Sequence, residues 1–129
     1  MNHYFGNIEQ DTLSNNNFRK VLYTGTYAQL VVMCLKPGQE IGAEVHPSVD
    51  QFFRVEQGSA QFLIDGQTIN VGEDQAVIVP AGANHNVTNT GQTDLKLYTI
   101  YSPPNHSAGT IHPTKAEADA AEAAEHDQH

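Results

Sequence analysis

The feature that most constrains this chain is its punctuation. From Phe18 to Tyr101, short runs of β-forming residues are broken by turn signals about every ten residues. Phe18 to Thr24 reads as a first strand, closed by Gly25-Thr26, and Tyr27 to Leu35 as a second, ended by Lys36-Pro37-Gly38. Ile41 to His46, Gln51 to Glu56, Ala60 to Ile64, Thr68 to Val71, Ala76 to Val79, His85 to Asn89 and Asp94 to Tyr101 follow. The clearest hairpin is Ala60 to Val71, where apolar and polar residues alternate on either side of Asp65-Gly66, a pair that supplies the positive φ a tight turn needs. About nine short strands, with no helical period before Thr114, predict an all-β antiparallel sandwich or barrel.

At 129 residues the chain fits one domain with one core. A net charge of -9 and a pI near 5.0 argue against a nucleic-acid partner, because a phosphate backbone would be repelled. The longest apolar run, Leu30 to Leu35, is too short to span a bilayer, and the opening residues carry no basic, apolar signal pattern. Cys34, the lone cysteine, sits inside that run and reads as a small buried hydrophobe, so no intrachain disulfide is available. A soluble, cytoplasmic protein is the expectation.

The densest chemistry lies in Glu44-Val45-His46-Pro47-Ser48-Val49-Asp50-Gln51. Glu44 and His46 are two apart and share a strand face. Gln51 would fall on the other face of a straight strand, but the turn at 47–50 resets that parity and lets the three converge. His85, after the Pro80-Ala81-Gly82 turn, stands where a fourth ligand could arrive from another strand. Two imidazoles, a carboxylate and an amide oxygen suit a divalent transition metal, whether Zn, Fe(II), Mn, Ni or Co.

These residues resemble a family. The cupin superfamily of small jelly-roll β-barrels carries a first motif G-x5-H-x-H-x4-E-x6-G and a second ending P-x-G-x2-H-x3-N. Gly38, Glu44, His46, Gln51 and Gly58 fall on the positions of the first, with Glu44 in place of its first His and Gln51 in place of its Glu. Pro80, Gly82, His85 and Asn89 match the second residue for residue, whereas Asp74-Gln75 stands where that motif normally opens with Gly-Asp. The likeness is to small single-domain cupins, labelled by analogy as mannose-6-phosphate isomerase-like. It implies one cupin domain over residues 1–112 and a metal held by Glu44, His46, Gln51 and His85. The two exchanges move the carboxylate without deleting it: three His and a Glu carry one negative ligand, and so does this set. An amide is a weaker donor than a carboxylate, so weaker metal binding is expected.

The activity implied is that of a metal-dependent enzyme of isomerase type. The ion would act as a Lewis acid on a small sugar-like metabolite or a hydroxy or keto acid. With Glu44, His46 and His85 alone, the set is that of non-haem iron dioxygenases and Gln51 becomes a supporting residue. A non-catalytic small-ligand or metal-binding module is the reading from another class. No free general base is visible once Glu44 is a ligand.

Phe53 and Val55 share Gln51's face and are expected inside the barrel, with Arg54 outside. In the last strand Leu95, Leu97, Thr99 and Tyr101 are expected inward, making Tyr101 a candidate pocket donor, with Lys96 outside. Tyr98 and Ile100, grouped with Val31 and Met33, are expected to form an outer apolar patch for a homodimer partner. His3, His106, His112, His126 and His129 have no ligand spacing and read as solvated. Residues 113–129 change character. Thr114 and Glu117 stand in capping-box spacing ahead of Ala and Glu, giving a short helix or frayed acidic tail read as solvated.

Overall fold

The structure, a computed structural model, describes residues 2–127, with side chains as far as residue 124. The expectations for His126 and His129 fall outside what it describes. A short helix α1 (Ile8–Leu13) leads into strands β1 (Arg19–Thr24), β2 (Gln29–Leu35), β3 (Glu44–Val45), β4 (Asp50–Gln57), β5 (Ala60–Ile64), β6 (Gln67–Val71), β7 (Ala76–Val79), β8 (Asn84–Asn89), β9 (Leu95–Ser102) and β10 (Ile111–His112). Helix α2 (Lys115–Asp127) follows. The strands form two sheets, ordered β10-β1-β2-β9-β4-β7 and β3-β8-β5-β6, and every pairing is antiparallel. The all-β jelly-roll class read from the sequence is the class observed.

Local sequence explains most strand ends. Asp65 and Gly66 take φ of 47° and 81°, the doubly positive geometry of a two-residue hairpin, and β5 pairs with β6 from Ile64↔Gln67 to Ala60↔Val71. Gly58 has φ 94°, and a Cβ there would lie 3.1 Å from the Asp94 carbonyl oxygen, so this turn needs glycine on two counts.

Between the sheets, Phe53, Phe62, Val55, Val31, Met33, Leu35, Leu95 and Leu97 are almost fully buried. Phe53 and Phe62, one from each sheet, meet edge to face at 5.0 Å between centroids. Arg54 lies outside as expected, paired with Glu56 and Asp74, and Cys34 is buried.

Four expectations are corrected. The strand read over Ile41–His46 is only Glu44–Val45, because Gly42 at φ 109° breaks the extension, leaving residue 40 an isolated bridge to Thr88. Helix α1 was not legible: six residues span less than two turns, too few to show a helical period. Its Asn7 cap, whose Oδ1 accepts from the Gln10 amide at 3.0 Å, is its one local signal.

The outer face of β2 and β9 is the third. Val31 and Met33 pair with Thr99 and Leu97, so they point inward, and the outward neighbours of Tyr98 and Ile100 are Val32 and Leu30. Part of that face is covered by the N-terminal segment. Lys96, expected in solvent, is buried there and donates to the Leu13 carbonyl at 2.6 Å and Asn16 Oδ1 at 3.1 Å.

The C-terminal segment is the fourth. Thr114 caps α2, its Oγ1 accepting from the Glu117 amide at 3.1 Å, but the helix is not simply solvated, since Ala118 is buried against the core. Among the described residues no helix is long and apolar enough to cross a membrane.

Candidate functional site

Both sheets contribute to one polar cluster inside the barrel. From the small sheet, β3 and β8 pair so that Glu44 stands opposite His85. From the large sheet, Gln51 on β4 stands opposite Tyr101 on β9, and Thr99 lies two residues along the same inward face. His46 follows β3 immediately. Its ring lies 5.5 Å from that of His85 and 5.9 Å from that of Tyr101, and Tyr101 in turn lies 5.1 Å from His106. Four rings therefore run in contact across the site.

A cavity of about 450 Å³ opens beside this row, lined by Glu44, His46, Asn105, His106 and Glu122 among others. His85, Gln51, Thr99 and Tyr101 are buried. Gln51 Nε2 donates to Thr99 Oγ1 at 3.0 Å. His85 Nδ1 lies 3.3 Å from the Ala83 carbonyl oxygen, so it carries the proton and leaves Nε2 with a lone pair.

Electrostatics follow from burial. Desolvation holds His46 below the usual imidazole value, helped by His85 and Arg19, and holds His85 down as well. Burial pushes the Glu44 carboxyl up to about 7, against the pull of Arg19. The 3.4 Å approach of Glu44 Oε2 to His46 Nε2 is thus not an ion pair at neutral pH, because the imidazole is uncharged. Tyr101 is pushed up by desolvation and stays a phenol.

Whether these residues suit a metal turns on two atoms. His46 Nε2 and Gln51 Oε1 are buried and have no hydrogen-bond partner. The Gln51 oxygen in particular is a buried lone pair without a donor, a desolvation cost that a cation would offset. Glu44 and His85 Nε2 add a carboxylate and a neutral imidazole beside them. Among the described residues, no three His, Cys, Asp or Glu side chains are gathered into a coordination arrangement. The donor types fit a divalent ion.

The sequence did not point to several residues now at the site. His106, read as solvated, lines the cavity. Its Nε2 is 3.2 Å from the Tyr101 hydroxyl, and burial drives its pKa down to about 3. Gln29 holds it there: Nε2 donates to the His106 carbonyl at 2.7 Å, and Oε1 accepts from the Asn105 and His106 amides at 3.1 and 2.9 Å. His112, also read as solvated, lies on β10 with Nδ1 3.3 Å from Arg19 Nη1. Arg19 is almost fully buried, and its charge is felt by Glu44, His46, Tyr101 and His106. A polar residue alternating onto the face of Val21 was the available signal for Arg19; nothing local marked His106 or Glu122.

Two facing antiparallel sheets with a histidine cluster between them define a jelly-roll barrel with an internal polar site. A family model described as a cupin domain matches residues 31–101, and the chain belongs to the cupin family. It is 51% identical over 123 residues to YrkC of Bacillus subtilis strain 168, an alignment covering 90% of this chain and 66% of that protein. It is 43% identical over 112 residues to protein L612 of Acanthamoeba polyphaga mimivirus, covering 84% of this chain and 70% of that one. The chain thus spans about two thirds of the length of these relatives. The crystal structure of BH2720 from Bacillus halodurans superposes with a TM-score of 0.89 at 44% identity, covering 91% of this chain and 93% of the other.

Proposed function

We propose that this chain binds a divalent transition metal through Glu44, His46, Gln51 and His85 and acts on a small polar metabolite, sugar-like or a hydroxy or keto acid, in isomerase-type chemistry. The observation that carries the reading is the pair of buried polar atoms without a hydrogen-bond partner, His46 Nε2 and Gln51 Oε1, in the same cluster as Glu44 and His85. When bound, the ion supplies Lewis-acid polarisation of a carbonyl or hydroxyl.

The chain's own residues do the rest. His46 and His85, neutral by burial, keep their lone pairs available across the neutral range. Tyr101 retains its proton and gives it to a hydrogen bond with His106 Nε2, which fixes the imidazole with its N–H at Nδ1. Neutral His106 on the cavity wall then offers a donor that orients a substrate oxygen, and Gln29 fixes the loop that carries it. Asn105 adds an amide on the same wall.

Elemental analysis of the purified full chain tests the metal. The expected result is one transition metal held per chain, lost in Glu44→Ala and in His85→Ala while the β-sheet circular dichroism is kept. Substoichiometric metal with no reconstitution, or full metal content in both variants, would overturn the assignment. Oxygen uptake coupled to turnover would replace isomerase-type chemistry with that of a dioxygenase.

A further inference from the structure

Among the polar groups of the barrel, Arg19 has a role the metal reading leaves unused. Its side chain is 2% exposed, and its Nε has no hydrogen-bond partner. Nη1 contacts His112 Nδ1 at 3.3 Å and lies 3.6 Å from Glu122 Oε1, the long end of an ion-pair distance. Glu122 belongs to α2, is 41% exposed, and lines the same cavity as Glu44, His46 and His106. A buried guanidinium is thus held by a half-solvated carboxylate that reaches in from the last helix.

We propose that Arg19 is the anchor for a substrate carboxylate and that the Glu122 carboxylate occupies its place until the substrate arrives, so that ligand and Glu122 compete for one cation. The proposal rests on the cavity being the substrate site and narrows the metabolite to a small carboxylic acid, a hydroxy or keto acid rather than a neutral sugar.

Three observations favour this. The exchange of carboxylate for carboxylate leaves the charge beside Arg19 unchanged, whereas a doubly charged phosphate would add a negative charge next to Glu44. Nη1 is the guanidinium nitrogen turned to Glu122 at the cavity wall, and a planar carboxylate is the anion an arginine nitrogen there matches best. Glu122 loses little on leaving, because it is already half-solvated and its contact with Arg19 is long.

Calorimetric titration of the full chain with lactate, and with 1,2-propanediol as the neutral counterpart, tests the competition. Lactate should bind and propanediol should not. Glu122→Gln, which removes the resident anion at a helix surface, should tighten lactate binding by about tenfold, and Arg19→Met should abolish it. Arg19→Met can fail by misfolding, so the decisive variant is Glu122→Gln: unchanged or weaker lactate binding would overturn the competition, as would equal binding of propanediol. Tighter binding of inorganic phosphate than of lactate would overturn the carboxylate assignment. Metal content measured on the same samples separates the two readings. Bound metal without lactate binding sinks the Arg19 anchor alone, and lactate binding without metal sinks the metal centre and leaves the anchor standing.

Discussion

Gln51 on β4 and Thr99 on β9 are diagonal neighbours on one inward face, and the Gln51 amide nitrogen donates to the Thr99 hydroxyl at 3.0 Å. That bond uses one of the amide's two N–H groups, while Oε1 is buried without a partner. The bond to Thr99 fixes the nitrogen end of the amide and leaves its oxygen for the site.

Gln51→Glu should therefore tighten metal binding, since it adds a charged oxygen where a neutral one stands. The expected gain is on the order of tenfold in chelator competition, the scale on which groups around a metal usually act. Gln51→Leu should lower affinity by a similar factor without loss of fold. Equal affinities for all three proteins would show that Gln51 does not touch the ion.

Acid should destabilise the metal-free protein in the imidazole range. His46, His85 and His106 are all held below the usual 6.5 in the fold, so the unfolded chain binds more protons, and stability present above about pH 6.5 falls as pH drops through that value. Glu44, raised from 4.5 to about 7, acts oppositely, its contribution fading as pH rises from 4.5 to 7. Three imidazoles outweigh one carboxyl, so melting temperature measured in chelator should decline from pH 7 to pH 5. His106→Gln should flatten that decline, and an unchanged slope would contradict the burial argument.

Asn89 closes the second cupin motif for a structural reason. Its buried amide donates to the Leu35 and Thr93 carbonyls, both at 2.9 Å, and its Oδ1 accepts from the Gly91 amide at 2.9 Å. Asn89→Ala leaves those buried backbone groups unpaired and should cost at least about 2 kcal/mol in urea unfolding. Metal stoichiometry of the folded fraction should not change.

Gln29→Leu should release the His106 loop while sparing the barrel. Both halves of the amide bind residues 105 and 106, and leucine can replace neither. Hydrogen exchange at the Asn105 and His106 amides should accelerate by tenfold or more for roughly 1.4 kcal/mol lost, with β4 and β9 amides unaffected. Protection retained at 105 and 106 would locate the restraint elsewhere.

Much of the fold was legible because its signals are local. Alternation in β5 and β9, the Asp65-Gly66 turn and the Thr114 cap each depend on residues within a few positions, and each appears in the structure. The faces of β2 were harder, since every residue from Val31 to Leu35 is buried and the pattern cannot say which set points inward. Pairing with β9 decides it.

The sequence by itself determined the all-β class, because strand parity and turn placement are properties of neighbouring residues, and its resemblance to the cupin motifs implied the jelly roll and the candidate donor set Glu44, His46, Gln51 and His85. Only the tertiary structure set Arg19 and Gln29 behind the cavity wall that His106 and Glu122 form. They come from β1, β2, a loop after β9 and α2, and their meeting depends on how sheets close and helices dock. No spacing rule encodes such a contact, since the burial that brings these groups together is distributed over the whole core.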